Sequence, residues 1–265
     1  MRSQSLGALL FISIDLPSTP LEISSNRPAR TLKTAGRVLE HLNAAGMSAT
    51  WFTNDPVGDP TLAQALAAGI GHVAGLRVDD DGHLADSSPL TAARSRLVAE
   101  ILARTARARC AGISISTVAL GEAAAAPAEL LGKYGFTAVR SPARDASPSK
   151  NAAGILPLRY GLWLVSPDFV LTGPGRISEW RSASRIRCAI DRSIRNQASL
   201  HLAVDIAAIS SGNGADRLGG LPGIVRHIEG RRQAGLLRVC PIAAAISQLS
   251  GPAPVRASGS ILRAA

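Results

Sequence analysis

Three stretches of the chain repeat one arrangement of apolar and polar positions: an amphipathic helical pattern, a glycine, then a short apolar run. They are RVLEHLNAAGMSATWF (37–52), AELLGKYGFTAVR (128–140) and VRHIEGRRQAGLLRVC (225–240). Gly46, Gly135 and Gly235 stand where a left-handed residue would close each helix. In the first helix Leu32, Ala35, Leu39 and Leu42 fall on one face, and Thr31 is placed to cap its start. Ala93, Leu97, Val98, Ile101 and Leu102 form the apolar stripe of another, opened by Ser88-Pro89. Pro222 opens a third, with Leu221, Ile224, Val225 and Ile228 inward. Between the helices lie the apolar runs 8–14, 48–53, 70–76, 111–116, 136–140, 199–204 and 236–240. They are apolar on both faces, as in a parallel sheet covered on both sides. Strand and helix alternate from end to end, which predicts an α/β fold. Seven such strands suit a barrel-like closure or, alternatively, a doubly wound open sheet. Residues 141–183 break the rhythm with a polar loop, SPARDASPSK, and one or two extended segments in ILPLRYGLWLVSPDFVL. That excursion either roofs a site or is a plain surface loop.

Composition narrows the class. An apolar fraction of 46% over 265 residues supports a packed domain, expected over residues 5–250. The tail from Gly251 is rich in Pro, Ala, Gly and Ser and is expected to be disordered. The net charge of +10 rests mostly on arginine, since Lys33, Lys133 and Lys150 are the only lysines. Aromatics are few and no basic run exceeds two residues, so nucleic acid is not the expected partner. Cys110, Cys188 and Cys240 fit neither a zinc site nor a disulfide framework and read as buried free thiols in a reducing compartment. The N-terminus lacks a small-residue cleavage site, and no stretch reaches the ~20 apolar residues of a membrane span. A cytoplasmic location is the expectation. His41 and His227 are expected to face solvent on their helices. No nucleophile elbow, phosphate loop or dinucleotide fingerprint is present.

Residues 69–83, GIGHVAGLRVDDDGH, carry an apolar strand into a loop of three acids and a histidine. This stretch resembles the motif of the polysaccharide deacetylase (NodB-type) family, roughly G-H-E-[IV]-G-x-H-x-x-x-H. Gly71, His72, Val73 and Gly75 match its lead-in, while Arg77 and Asp81 stand at its two metal-ligand positions. The strand ending Ser13-Ile14-Asp15-Leu16 resembles the family's T-F-D-D: Asp15 matches the base, and Leu16 replaces a metal-binding acid. AAGMSATWFTNDP resembles the family's K-x-G-[IV]-x-A-T-F-F unit, and KYGFTAVRSP its GF-x-x-x-R-S segment, which includes Arg140. SLHLAVDIAAI resembles F-H-L-W-F-H-P, with His201 kept and Asp205 in place of the last histidine. The family's arginine-proline motif after the fourth strand is absent from GISISTV (112–118).

The resemblance implies a distorted (β/α) barrel and, as ancestral activity, metal-assisted hydrolysis of an acetyl–amide bond on an N-acetylated sugar or polysaccharide. The expected partner is therefore carbohydrate. The residues argue against the usual metal, because leucine cannot ligate and a guanidinium offers only donors. No cofactor is expected on that ground. Three readings of the site stay open. Arg77 stands in for the metal and pairs with Asp15 and Asp205. Alternatively, Asp15, Asp81 and Asp205, with Asp79 or Asp80, form an oxygen-rich site for Mg²⁺ or Ca²⁺. Otherwise Asp15 works with His201 or His83 in metal-free acid–base chemistry. A slip of register would instead recruit His72 or His83 as a ligand. Trp51, Asn54, Asp55, Arg77 and Arg140 are the candidate pocket residues. Two outcomes follow: a divergent deacetylase, or a non-catalytic relative that binds glycan or serves assembly in surface polysaccharide metabolism.

Overall fold

The computed structural model describes residues 8–17, 27–78, 90–121, 128–141, 154–172, 176–211, 218 and 220–250. Its elements run β1 (Ala8–Asp15), α1 (Arg27–Ala44), β2 (Thr50–Thr53), α2 (Pro60–Ala67), β3 (Val73–Val78), α3 (Leu90–Cys110), β4 (Ile115–Leu120), α4 (Ala128–Lys133) and β5 (Ala138–Arg140). There follow β6 (Ile155–Pro157), a 3₁₀ turn (Arg159–Gly161), β7 (Trp163–Val165), β8 (Phe169–Leu171) and α5 (Arg176–Asn196). The chain then forms β9 (Ser199–Asp205), α6 (Ile206–Ser211), α7 (Leu221–Gln233), β10 (Leu237–Cys240) and α8 (Ile242–Leu249). The excursion over 141–183 thus supplies three short strands and the start of α5. The tail, the Ser88-Pro89 cap, Asp79, Asp80, Asp81 and His83 lie outside the described residues.

One curled sheet takes the order β6-β7-β5-β4-β3-β2-β1-β9-β8, parallel except for β6 on β7. The result is a half-barrel with its seam between β6 and β8, and the expected α/β barrel architecture holds. β10 pairs with Ala8–Phe11 of β1, and β2 takes Ser13–Asp15, while β9 runs along Leu9–Asp15. At the β6 edge, Gly154 and Leu158 bond toward β7, so by alternation Ile155 and Pro157 point outward. Pro157 offers no N–H there, which blunts the open edge.

Alternation along the strands separates two apolar clusters. Leu10, Ile12, Ile14, Trp51 and Leu76 point outward and pack under the helices, joined by Val38, Leu42, Ile101, Ile186 and Ile228. Each such side chain contributes about 1.5–3 kcal/mol by leaving water. Inside the curl, Leu9, Phe11, Phe52, Ala119, Ala138 and Val165 meet Ile242, Ala245 and Ile246 of α8. α8 plugs the bottom of the barrel, and its Ile242 N–H donates to Thr50 Oγ1 at 3.0 Å.

Several local expectations change. Gly46, Gly135 and Gly235 do take positive φ (58, 86 and 70°). The strand expected at 111–116 begins at Ile115 instead, because α3 runs to Cys110 and Gly112, at φ 78°, closes it. Leu32 is 50% exposed: the buried stripe of α1 runs through Thr31, Ala35, Val38, Leu39 and Leu42. Thr31 is no cap, since the helix starts at Arg27, and its hydroxyl lies 3.1 Å from Ser210 Oγ. The thiols are free but not all buried. Cys110 and Cys188 are exposed, whereas burial pushes partly buried Cys240 up to about 11, against the pull of Arg238. His227 is partly buried and 3.0 Å from Asp191 Oδ1 rather than facing solvent. Among the described residues, no helix is long and apolar enough to cross a membrane.

Candidate functional site

Period-two alternation sends Ser13 and Asp15 of β1 into the barrel, and register places Asp205 beside Asp15 and His201 beside Phe11. From β5, across the lumen, Arg140 reaches back to β1. Its Nη1 donates to Asp15 Oδ2 at 2.9 Å and to Ser13 Oγ at 3.3 Å, and Nη2 lies 2.7 Å from Asp15 Oδ1. The guanidinium sits 4.6 Å over the Phe52 ring, a cation–π contact. Both partners are buried, Asp15 at 9% and Arg140 at 8% exposure. Two-point contact is what makes a charge pair tolerable at such depth.

Gly75 explains the geometry of this stack. A Cβ there would come within 2.5 Å of the Phe52 ring, so only glycine leaves the ring where it supports Arg140. Beneath, Ser13 Oγ lies 2.9 Å from His201 Nε2, and both residues are fully enclosed. Burial, and next the charge of Arg140, lower the imidazole to about 3, with the Ser166 backbone opposing. His201 is therefore neutral. Because Arg140 can only donate, Ser13 Oγ accepts from it, and the direction of the Ser13–His201 hydrogen bond follows the imidazole tautomer. His201 and Ser13 form the underside of the site and line no open space.

Above them the mouth holds a cavity of about 210 Å³, lined by Asp15, Arg77, Arg140 and Asp205. Ala119, Leu120, Val170 and Ala203 form apolar wall. Asp205 Oδ1 accepts the Ala208 N–H at 2.9 Å, capping α6. Arg77 Nη1 donates to the Leu16 carbonyl at 3.3 Å, while Leu16 itself is buried. The partner expected for Asp15 was Arg77. The structure gives that place to Arg140, while Arg77 Nη1 is held at the Leu16 carbonyl.

The remaining candidates separate from this cluster. Trp51 points to the outer face, where its Nε1 donates to His72 Nδ1 at 3.2 Å. His72 Nδ1 also accepts the Ala49 N–H at 3.0 Å, and Nε2 lies 3.0 Å from Asn43 Oδ1. Burial lowers its pKa, against the Ala49 hydrogen bond. His72 is a strut between α1, β2 and β3, which closes the register slip that would make it a ligand. Asn54 follows β2 off the cavity lining, and Asp55 pairs with Arg107 at the surface, 3.1 Å away. Ser13, Phe52 and Gly75 were not named as site residues. The signal was available for Ser13, two positions before Asp15 on the same face.

Among the described residues, these donors do not fit a divalent cation, and Asp79, Asp80 and Asp81 lie outside that set. Both Asp15 oxygens face a guanidinium, and Asp205 stands between that pair and a helix cap. A resident +1 charge repels the ion that the carboxylates would have to hold. Among the described residues, no three His, Cys, Asp or Glu side chains come together as a metal set.

No family model matches the sequence, and no curated protein does. Solved structures do match by shape. A protein assigned as a polysaccharide deacetylase from Mycobacterium smegmatis superposes with a TM-score of 0.63 at 11% identity, covering 94% of this chain and 92% of that one. The 4-alpha-glucanotransferase of Thermococcus litoralis gives 0.62 at 14% identity, over 94% of this chain and 41% of the other. The Xyl-CE4 domain of a xylanase from the hindgut metagenome of Trinervitermes trinervoides gives 0.50 at 11%, over 93% of each. At these identities the likeness is one of fold. The chain has the polysaccharide-deacetylase-like (β/α)-barrel fold.

Proposed function

We propose that this chain binds carbohydrate at the barrel mouth and does not carry out metal-dependent deacetylation. It serves as a glycan-binding or assembly protein in surface polysaccharide metabolism. The observation that carries this reading is the Arg140–Asp15 pair. A carboxylate held at both oxygens by a buried guanidinium is poorly placed to take a proton from water or to hold a metal. The fold supports a carbohydrate ligand, and the cavity offers the carboxylates and guanidinium donors that hydroxyl groups need. Exposed, unpaired Cys110 and Cys188 support a reducing compartment.

Elemental analysis of protein purified without chelators, paired with titration of N-acetylglucosamine oligomers, tests the proposal. The expected result is metal-free, folded protein that binds oligomer without releasing acetate. Near-stoichiometric zinc, nickel, cobalt or manganese together with acetate release would overturn it and restore the hydrolase reading.

A further inference from the structure

Asp15 and Asp205 stand side by side at the ends of β1 and β9, yet their charges are met differently. Asp15 has Arg140 against both oxygens. Asp205 gives Oδ1 to the Ala208 N–H and makes no ion pair among the described residues. It lines the cavity while partly exposed, so this carboxylate is open to a ligand. Arg77 lies on β3, and its side chain reaches across to the Leu16 carbonyl just past the end of β1, 3.3 Å from Nη1. Its guanidinium lines the same cavity, whose wall is small and apolar at Ala119 of β4 and Ala203 of β9.

We infer that the ligand of this cavity is an amino sugar whose amine is free, held by its ammonium on Asp205 and by hydroxyl oxygens on the arginine side. The inference rests on the carbohydrate-binding reading above and names the form of the sugar. An N-acetyl amide carries no charge for Asp205 to meet, and its acetyl group adds bulk to a cavity of about 210 Å³. Bulk electrostatics cannot produce the preference, because a chain of net charge +10 repels a cationic sugar at long range.

Isothermal titration of the full chain, at slightly acidic pH, with a glucosamine tetramer and with its N-acetylated counterpart decides the matter. The amine form is expected to bind at least tenfold tighter. In Asp205→Asn that ratio should fall to about one. Asparagine still caps α6, so the variant keeps its fold, which a thermal melt verifies. Equal or tighter binding of the acetylated tetramer, or an unchanged ratio in the variant, overturns the inference and leaves the carbohydrate-binding reading standing. Failure of both tetramers to bind overturns the two together.

Discussion

The two faces of the central sheet are built from alternate residues of the same strands, and they obey different rules. Outward, Leu10, Ile12, Ile14 and Trp51 pack beneath helices, and His72 beside them has partners at both ring nitrogens. Inward, the upper half of the barrel gives up apolar packing for a connected set: His201, Ser13, Arg140, Asp15, with Phe52 beneath the guanidinium. The outer face can lose a methyl group and adjust, at a graded cost. The inner set is coupled, since His201 meets Ser13, Ser13 meets Arg140 and Arg140 meets Asp15, so that a change at one member reaches the others.

The sharpest way to break this contrast is to remove its cation. Arg140→Met should destabilise the chain by about 3–5 kcal/mol, because Asp15 is left buried with an uncompensated charge. Urea unfolding measures it. The double change Arg140→Met with Asp15→Leu should recover most of the loss, and a double variant no better than the single one would show that the pair is not the source. A second test uses acid. His201 has a folded pKa of about 3 against an ordinary 6.5, so the unfolded chain binds the proton better between those values. Its contribution is complete above pH 6.5 and is lost as pH falls, at up to about 1.4 kcal/mol per pH unit. His201→Gln should flatten the stability profile in that window, and an unchanged slope would contradict the buried neutral imidazole.

Smaller in size is Gly75→Ala, expected to cost about 1–3 kcal/mol as the Phe52 ring is pushed toward Arg140. Thermal melts detect the cost, and the shift of the Phe52 ring should be visible by NMR. At the weak end stands Arg107→Ala. Its exposed pair with Asp55 should be worth no more than about 1 kcal/mol, and less in high salt.

The sequence made the sheet legible because strands and helices announce themselves locally. Gly46, Gly135 and Gly235 mark helix ends, and Pro222 marks a helix start. It hid α5, where arginines interrupt the apolar stripe, and it showed the three short strands between residues 155 and 171 only as one or two extended segments. At the site, Asp15, Arg77, Arg140 and Asp205 were all read as candidates, and all four line one cavity. Which arginine meets Asp15 was not legible. That choice depends on side-chain reach across a closed lumen and on the absence of a Cβ at Gly75, neither of which leaves a local pattern. Trp51 was misplaced for a simpler reason: one step along a strand changes the face.

The first strand also has a consequence for how the chain is made. β1 occupies residues 8–15, but the partners of its two edges include β9 and β10, completed only at residues 205 and 240. During synthesis β2 can meet the upper end of β1 early, but the rest of the pairing of β1 waits for segments made far later in the chain, a long wait for an apolar strand. Folding of the barrel is tied to arrival of the α7–β10 unit, and a nascent chain stopped before β10 should depend on chaperones to stay soluble.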